Sequence, residues 1–569
     1  MGFSLIYVCF VTHILSLNPW TFFILIGCCT YYDNLSNQKK IKNYGELKHG
    51  MTTGNNDRCL RYWYEIDTCK FIHSAKNLDE FINSNCVYVP YNKGGAYKKW
   101  YGNLDYILGY NKKYNDYMDT LGGHRHDNQK FYFKKAITWS LTNSSYFGAR
   151  MRPTGSIFDV NGMSMFVTDE KKYNYILGLL CSKISTKFML INNPTLASQV
   201  GDVSKIPVCY EENKKTRIDL YVDKCVKYTQ SDWDSYEISW DFKVHPLVKN
   251  HDHTIQEEYL LWKDECNNRF KELKSNEEEL NRIFIDIYGL QDELTPEESD
   301  KDITVHYVVD DKDSIPESFT GSKYVRTKKD EIKSFISYAV GCMFGRYSLD
   351  CEGLAYAGGD WDLSKYKSFI PDADDIIPIC DEEYFEDDIV SRFVEFVRVV
   401  YGPEHLESNL QFISDALGGK GSPREVLRNY FLNQFYKDHC NTYQVTGSGK
   451  RPIYWLFDSG KKSGFKVLVY IHRYTPDLIA RMRTGYIHPL QSQYRTQIEM
   501  LNHQIDEAGS TSERVKLQKQ LKKITEQSQE LGKYEEKIHH WADKMEPMDL
   551  DDGVKANYAK FQELLAKIK

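Results

Sequence analysis

No two of the chain's 14 cysteines stand in a Cys-x-x-Cys pair. That absence removes the usual zinc knuckle. The adjacent Cys28 and Cys29 cannot form one by themselves. The histidine pairs His124/His126, His251/His253 and His539/His540 have no cysteine beside them. Scattered thiols in a large chain fit a reducing compartment. The expectation is therefore a cytoplasmic protein with no metal site and no disulfide framework.

Catalytic signatures are lacking too. There is no Gly-x-Ser-x-Gly, no His-Glu-x-x-His and no dinucleotide fingerprint. No Asn-Pro-Pro-Tyr or Asp-Pro-Pro-Tyr box occurs, the clamp by which amino-methylating enzymes hold a flipped base. Asn192-Asn193-Pro194 comes nearest but lacks the second proline and the aromatic. No glycine-rich loop after a strand suits S-adenosylmethionine. Gly447-Ser448-Gly449-Lys450 suggests a phosphate loop, but Arg451-Pro452 and then a strand follow where a helix should begin. No catalytic or cofactor-binding residue is assigned.

Charge is missing from one stretch only. Between Phe3 and Cys29 there is no Lys, Arg, Asp or Glu. Its length would permit a membrane span. His13, Asn18 and Pro19 interrupt it, and no basic residue precedes it as a secretory signal requires. A membrane anchor, a buried pair of strands and an aberrant start all fit. Elsewhere the net charge of -7 argues against a uniformly basic nucleic-acid binder, not against a local basic face. The 42 tyrosines have a bland explanation in an AT-rich genome.

What is present centres on residues 50–102. Glycines mark turns or close approaches. Between them lie Asn, Thr, Lys, Arg, Tyr and Trp, which can bond base edges, neutralise phosphates or stack. An ordinary polar loop has the same look. Around this stretch the fold class reads as mixed α/β (α+β) and multidomain. Residues 35–215 form the first domain, with strands at 86–89, 131–139 and 156–160, a turn at 153–155 and a helix over 173–190. Residues 216–301 are a helical connector and acidic linker, with Glu277, Glu278 and Glu279 expected to face water. Residues 302–486 are an α+β domain with helices at 332–344 and 390–400 and a strand pair at 453–457 and 465–470. Its acidic segment 372–388 reads as a solvated loop, since its spacing matches no calcium loop. Residues 487–569 read as an antiparallel helical hairpin and a C-terminal helix. The hairpin is either an internal strut or a docking arm for a partner or for DNA.

Several blocks carry a resemblance. They are residues 50–63, 89–102, 134–140, 155–160 and 193–207. Residues 236–246, 276–292, 335–354, 451–483 and 549–569 extend it. Together they resemble the target-recognition and C-terminal half of the PglX family, adenine-specific DNA methyltransferases of BREX phage-defence systems. The resemblance spans about residues 35–569 and leaves out residues 1–34. It implies a sequence-reading domain, helical regions that clamp the duplex and double-stranded DNA as partner. The family's S-adenosylmethionine domain should precede residue 35. The expectation is thus a truncated form, inactive alone and without cofactor; the alternative is a split form completed by a separate methyltransferase chain, with other BREX components as further partners. A membrane-tethered interaction protein is the reading from another class.

On this reading Arg58, Arg61, Lys93, Lys98, Lys99, Arg150 and Arg152 contact phosphates. Thr53, Asn55, Asn56, Asn92 and Tyr97 lie nearer base edges. Asn55 and Asn56 read equally well as turn formers. Trp63 and Trp100 read as core rather than stacking platforms.

Overall fold

The computed structural model describes residues 38–142, 146–193, 195, 197–249, 253–445 and 449–568. The readings made for residues 1–34, and the first half of the 447–450 loop, lie outside these residues.

The first 170 residues of the described chain contain eight strands: β1 (Gly45–Lys48), β2 (Leu60–Tyr62), β3 (Tyr88–Asn92), β4 (Tyr106–Gly109), β5 (Ala136–Trp139), β6 (Ala149–Arg152), β7 (Ile157–Phe158) and β8 (Ser164–Val167). They pair in two sheets, ordered β1-β8-β5-β6 and β2-β4-β3-β7. Every ladder is antiparallel except that of β3 with β7.

Period-2 alternation divides the strand residues between separate cores. Ala136 and Phe166 meet Leu60, Val89 and Leu108 between the sheets. Their neighbours Ile137 and Met165 point the other way and meet Ile176, Val222 and Leu280. Tyr62, Tyr88 and Ile107 join a third core with the C-terminal helices. Both sheets are therefore covered on both faces; β4 and β5 read as short apolar runs, whereas β1 and β6 alternate polar with apolar side chains.

The turn at 153–155 is present. Gly155 has φ +97°, and a Cβ there would lie 2.2 Å from the His73 carbonyl oxygen. The helix expected over 173–190 is two: α2 (Tyr173–Cys181) and α3 (Lys183–Asn192), after α1 (Lys112–Asp119). Ser182 is extended between them, and its hydroxyl donates to the Leu179 carbonyl. A local side-chain bond thus competes with the helical ladder. The central region is α4 (Glu212–Asp234) and α5 (Ile255–Tyr288). α5 opens with a Thr254/Glu257 capping box and closes at Gly289 in the left-handed region.

The helix expected at 332–344 is α6 (Lys328–Met343), and that at 390–400 is α7 (Ile389–Tyr401). α8 (Leu406–Leu417) and α9 (Pro423–Tyr430) pack beside them. The strand pair spans Tyr454–Asp458 and Lys466–Tyr470 in antiparallel register. The acidic segment 372–388 is not a solvated loop. Asp372, Asp375 and Asp388 are buried, and Asp388 caps α7 while accepting from Arg428 at 2.9 Å. Proline and alternating Asp conceal this from a reading of composition.

α10 (His488–Glu507) and α11 (Thr511–Lys544) form the hairpin. Ser510 caps α11 through the Glu513 amide. α12 (Gly553–Phe561) ends the chain's regular structure. The tail after it runs against Phe457, where the Asp458 amide donates to Leu564 and the Ala566 amide donates to Leu456. The start of α12 is tied to β2: Val554 donates to Glu65, and Arg61 donates twice to the Asp551 carbonyl. Among the described residues no helix is long and apolar enough to cross a membrane.

Candidate nucleic-acid interface

The expected phosphate and base contacts divide sharply by burial. Asn56 and Arg58 are exposed, and Lys93, Asn55 and Tyr97 are half-buried. The Arg58 guanidinium lies 4.0 Å above the Tyr117 ring, and the Asn55 side chain donates to the Tyr117 hydroxyl. Asn55 also caps residues 56–59 by accepting from the Arg58 amide. Lys93 sits 5.5 Å from the Tyr106 ring, and burial lowers its pKa. Asn55 and Asn56 lie in the strap formed by residues 50–56 and Arg58 follows it, whereas the Tyr97 ring meets Tyr146 and its carbonyl accepts from the Tyr324 hydroxyl. Thr52 pairs with Arg125, and Met51 pairs with Asp159.

The other seven are held inside. Thr53 is buried and donates to Asn56. Arg61 holds the chain before α12, as described. Asn92 ties the sheets together, donating to Thr138 on β5 and to the Gly162 carbonyl. Arg150 and Arg152 are fully buried, contrary to a phosphate-facing role in this conformation. They share one face of β6, turned between the sheets, while Met151 packs on the opposite core. Arg152 lies over the Phe158 and Phe166 rings and donates to the Lys134 carbonyl. Burial pushes Arg150 down to about 10 and Arg152 down to about 9.

Lys98 and Lys99 are buried as well. Lys98 donates to the Thr304 carbonyl at 3.1 Å and lies 4.7 Å from the Tyr324 ring. Burial lowers it to about 8. Lys99 pairs with Glu277 and lies 3.6 Å from Glu298. Burial opposes its charge, but the two carboxylates raise its pKa well above the ordinary value. The Trp100 indole donates to the same Glu277 at 2.6 Å. Glu277 therefore does not face water as its acidic neighbours suggested. Trp63 and Trp100 are core residues, as expected.

A basic cluster outside the expected set gathers where the end of edge strand β1 meets the segment before β5. Lys48, Lys130 and Lys134 stand 5.5, 4.9 and 5.6 Å from the Phe131 ring centroid. Glu46 is the carboxylate beside them, and the Lys48 hydrogen bond is the chief cause of its lowered pKa. Lys130 and Lys134 flank an apolar triplet in sequence, and that spacing was the available signal. The hairpin carries more positive charge, with exposed Arg514, Lys516, Lys519 and Lys522 along the first half of α11.

Among the described residues no strand passes through a glycine-rich turn into a helix in the manner that holds S-adenosylmethionine. The arrangement offers exposed cations, amides and rings around a rigid double sheet.

No protein-family model matches the chain. Two curated proteins do. The adenine-specific methyltransferase PglX of Lacticaseibacillus casei (strain Zhang) is 41% identical over 542 residues, 92% of this chain and 42% of that protein. The adenine-specific methyltransferase BrxX of Escherichia coli O9:H4 (strain HS) is 36% identical over 538 residues, 91% of this chain and 42% of that protein. The chain thus spans about two fifths of the length of these relatives. The resemblance drawn from the sequence blocks holds.

Proposed function

We propose that this chain, a relative of the adenine-specific methyltransferases PglX and BrxX, is the part of such an enzyme that grips and reads duplex DNA. The observation that carries this is the match running through nearly all of the chain. Within it no Asn-Pro-Pro-Tyr box occurs. Methyl transfer then belongs to sequence outside these residues, in the same gene or in a separate chain.

The exposed residues give the reading its physical form. Arg58 and Lys93, with Lys48, Lys130 and Lys134, supply phosphate contacts that set the protein on the duplex. Asn56, Asn55 and Tyr97 lie where base edges would be read. The basic first half of α11 reaches the backbone from another side as a clamp. DNA is the substrate class, and other BREX components are the expected partners.

Fluorescence anisotropy with labelled duplex DNA tests this. The full chain binds at low salt, and its affinity falls steeply and log-linearly as salt rises. Binding no tighter than that of an acidic control protein of equal size sinks the proposal. Adding a chain that carries the S-adenosylmethionine domain and assaying methyl transfer then decides whether the two parts work together.

A further inference from the structure

The loop behind the 50–56 strap brings Asp119 up to the sequence pair His124 and His126. α1 ends at Asp119, a turn runs through Gly122 and Gly123, and His124 and His126 follow. His124 Nε2 lies 3.6 Å from Asp119 Oδ1, and His126 Nε2 lies 3.7 Å from the same oxygen. The imidazoles meet edge to face with centroids 4.2 Å apart. All three ligand atoms fall within 4.8 Å of one another.

The second observation is the state of His124. Its side chain is only 5% exposed. Its Nδ1 lies 2.7 Å from the Thr52 carbonyl oxygen, which can only accept, so the proton is on Nδ1. In the neutral ring Nε2 then carries the lone pair, and this buried atom has no hydrogen-bond partner. A metal-binding imidazole is commonly oriented in this way, with its other nitrogen donating to a backbone carbonyl.

We propose that Asp119, His124 and His126 form a binding site for a divalent transition metal, zinc foremost. Tetrahedral zinc with ligand bonds of about 2.0–2.1 Å sets its ligands about 3.3–3.4 Å apart. The two Asp119 separations need to shorten by only a few tenths of an ångström. Two imidazoles and one carboxylate favour zinc and its neighbours over magnesium or calcium, which take oxygen ligands. Asp119 is 63% exposed, so the fourth position opens to water.

The position of the site gives it a role. Thr52 bonds this loop three further times, through its amide to Arg125, its carbonyl from Arg125 and its hydroxyl to Gly123. α1 also carries Tyr117, which supports Arg58 and Asn55. A metal at the end of α1 therefore locks the loop that holds the strap in place. It braces the face proposed to meet DNA without touching DNA. The site stands on its own geometry, whatever the chain binds.

The test uses the full chain, stripped with a chelator and titrated with Co²⁺ and with Zn²⁺. One ion is expected per chain, with the visible absorption of tetrahedral cobalt and a rise in thermal midpoint. Asp119→Asn and His126→Gln should each weaken binding by about 100-fold or more, beyond the ~10–100-fold typical of outer-shell changes. The Cys69→Ser/Cys86→Ser chain should bind as the parent does, since these thiols lie in another loop. Asp119 is exposed, so its variant keeps the fold, and circular dichroism verifies this. No binding by the parent at micromolar metal overturns the proposal. So does undiminished binding by a folded Asp119→Asn chain, or binding lost with the cysteines instead.

Discussion

Lys99 and Glu277, separated by 178 positions, form a buried ion pair that joins the loop after β3 to the middle of α5. Glu298 and the Trp100 indole complete the cluster. Removing one partner of such a pair leaves a charge in a site that cannot solvate it. Lys99→Ala should cost about 3–5 kcal/mol, read from the urea midpoint. Lys99→Met combined with Glu277→Gln should recover most of that loss, because the amide still accepts from Trp100. A Lys99→Ala chain of unchanged stability but weaker DNA binding would return Lys99 to the role its sequence suggested.

Arg58 and Arg152 make the complementary comparison. Arg58 is exposed and cushioned on Tyr117, whereas Arg152 lies buried over two adjoining phenylalanine rings. Arg58→Ala should leave stability within about 0.5 kcal/mol. It should lower the slope of log affinity against log salt by roughly one. Arg152→Ala should instead cost about 2 kcal/mol or more by lost packing and stranded partners. Denaturation and salt-titrated anisotropy on the same two chains separate the roles. Equal loss of DNA binding by both, at equal stability, would contradict the assignment.

The contrast shows what a sequence can disclose. Helices α6 and α7, the 454–470 strand pair and the hairpin were legible because their apolar periodicity is local. The fate of the cations was not. Lysine and arginine look alike on paper whether they meet solvent or a carboxylate far along the chain. Arg150-Met151-Arg152 did hold a clue, since alternation on a strand puts both arginines on one face and both sheet faces are covered. Lys99 held none, because its partner lies in a charged run that reads as a solvated helix face. His124 and His126 were visible as a pair, but Asp119 joins them only through a turn whose path the sequence does not state.

His439 makes the fold acid-sensitive. Its Nε2 accepts hydrogen bonds from the Ile453 and Tyr454 amides at 3.1 and 3.0 Å. Burial, and then Arg346, hold it down to about 3. The unfolded chain, with a histidine pKa of about 6.5, binds the proton first. Stability is therefore complete above pH 6.5 and falls as pH drops toward 3. Urea midpoints measured from pH 8 to pH 4 should decline below 6.5. His439→Gln keeps an acceptor and cannot titrate, so its decline should be shallower. An equal slope in parent and variant would place the acid sensitivity elsewhere.

Gly50 and Gly122 lie at opposite ends of the structure that supports the strap, and they should respond oppositely to a methyl group. A Cβ on Gly50 would stand 1.8 Å from the Phe158 carbonyl oxygen, and backbone atoms cannot move aside as a side-chain tip can. The strap bonds β7 at that point, with the Met51 amide donating to the same carbonyl at 2.9 Å. Gly50→Ala must therefore break the pairing or push the strap away, at a cost of about 3 kcal/mol or more. A Cβ on Gly122 meets open space, and its φ lies outside the left-handed region. Gly122→Ala should stay within about 1 kcal/mol of the parent and can raise stability by stiffening the unfolded chain. Hydrogen exchange over residues 50–58 provides the local measurement. Protection there should collapse in the first variant and persist in the second, and persistence in both would mean that the strap is not held by β7.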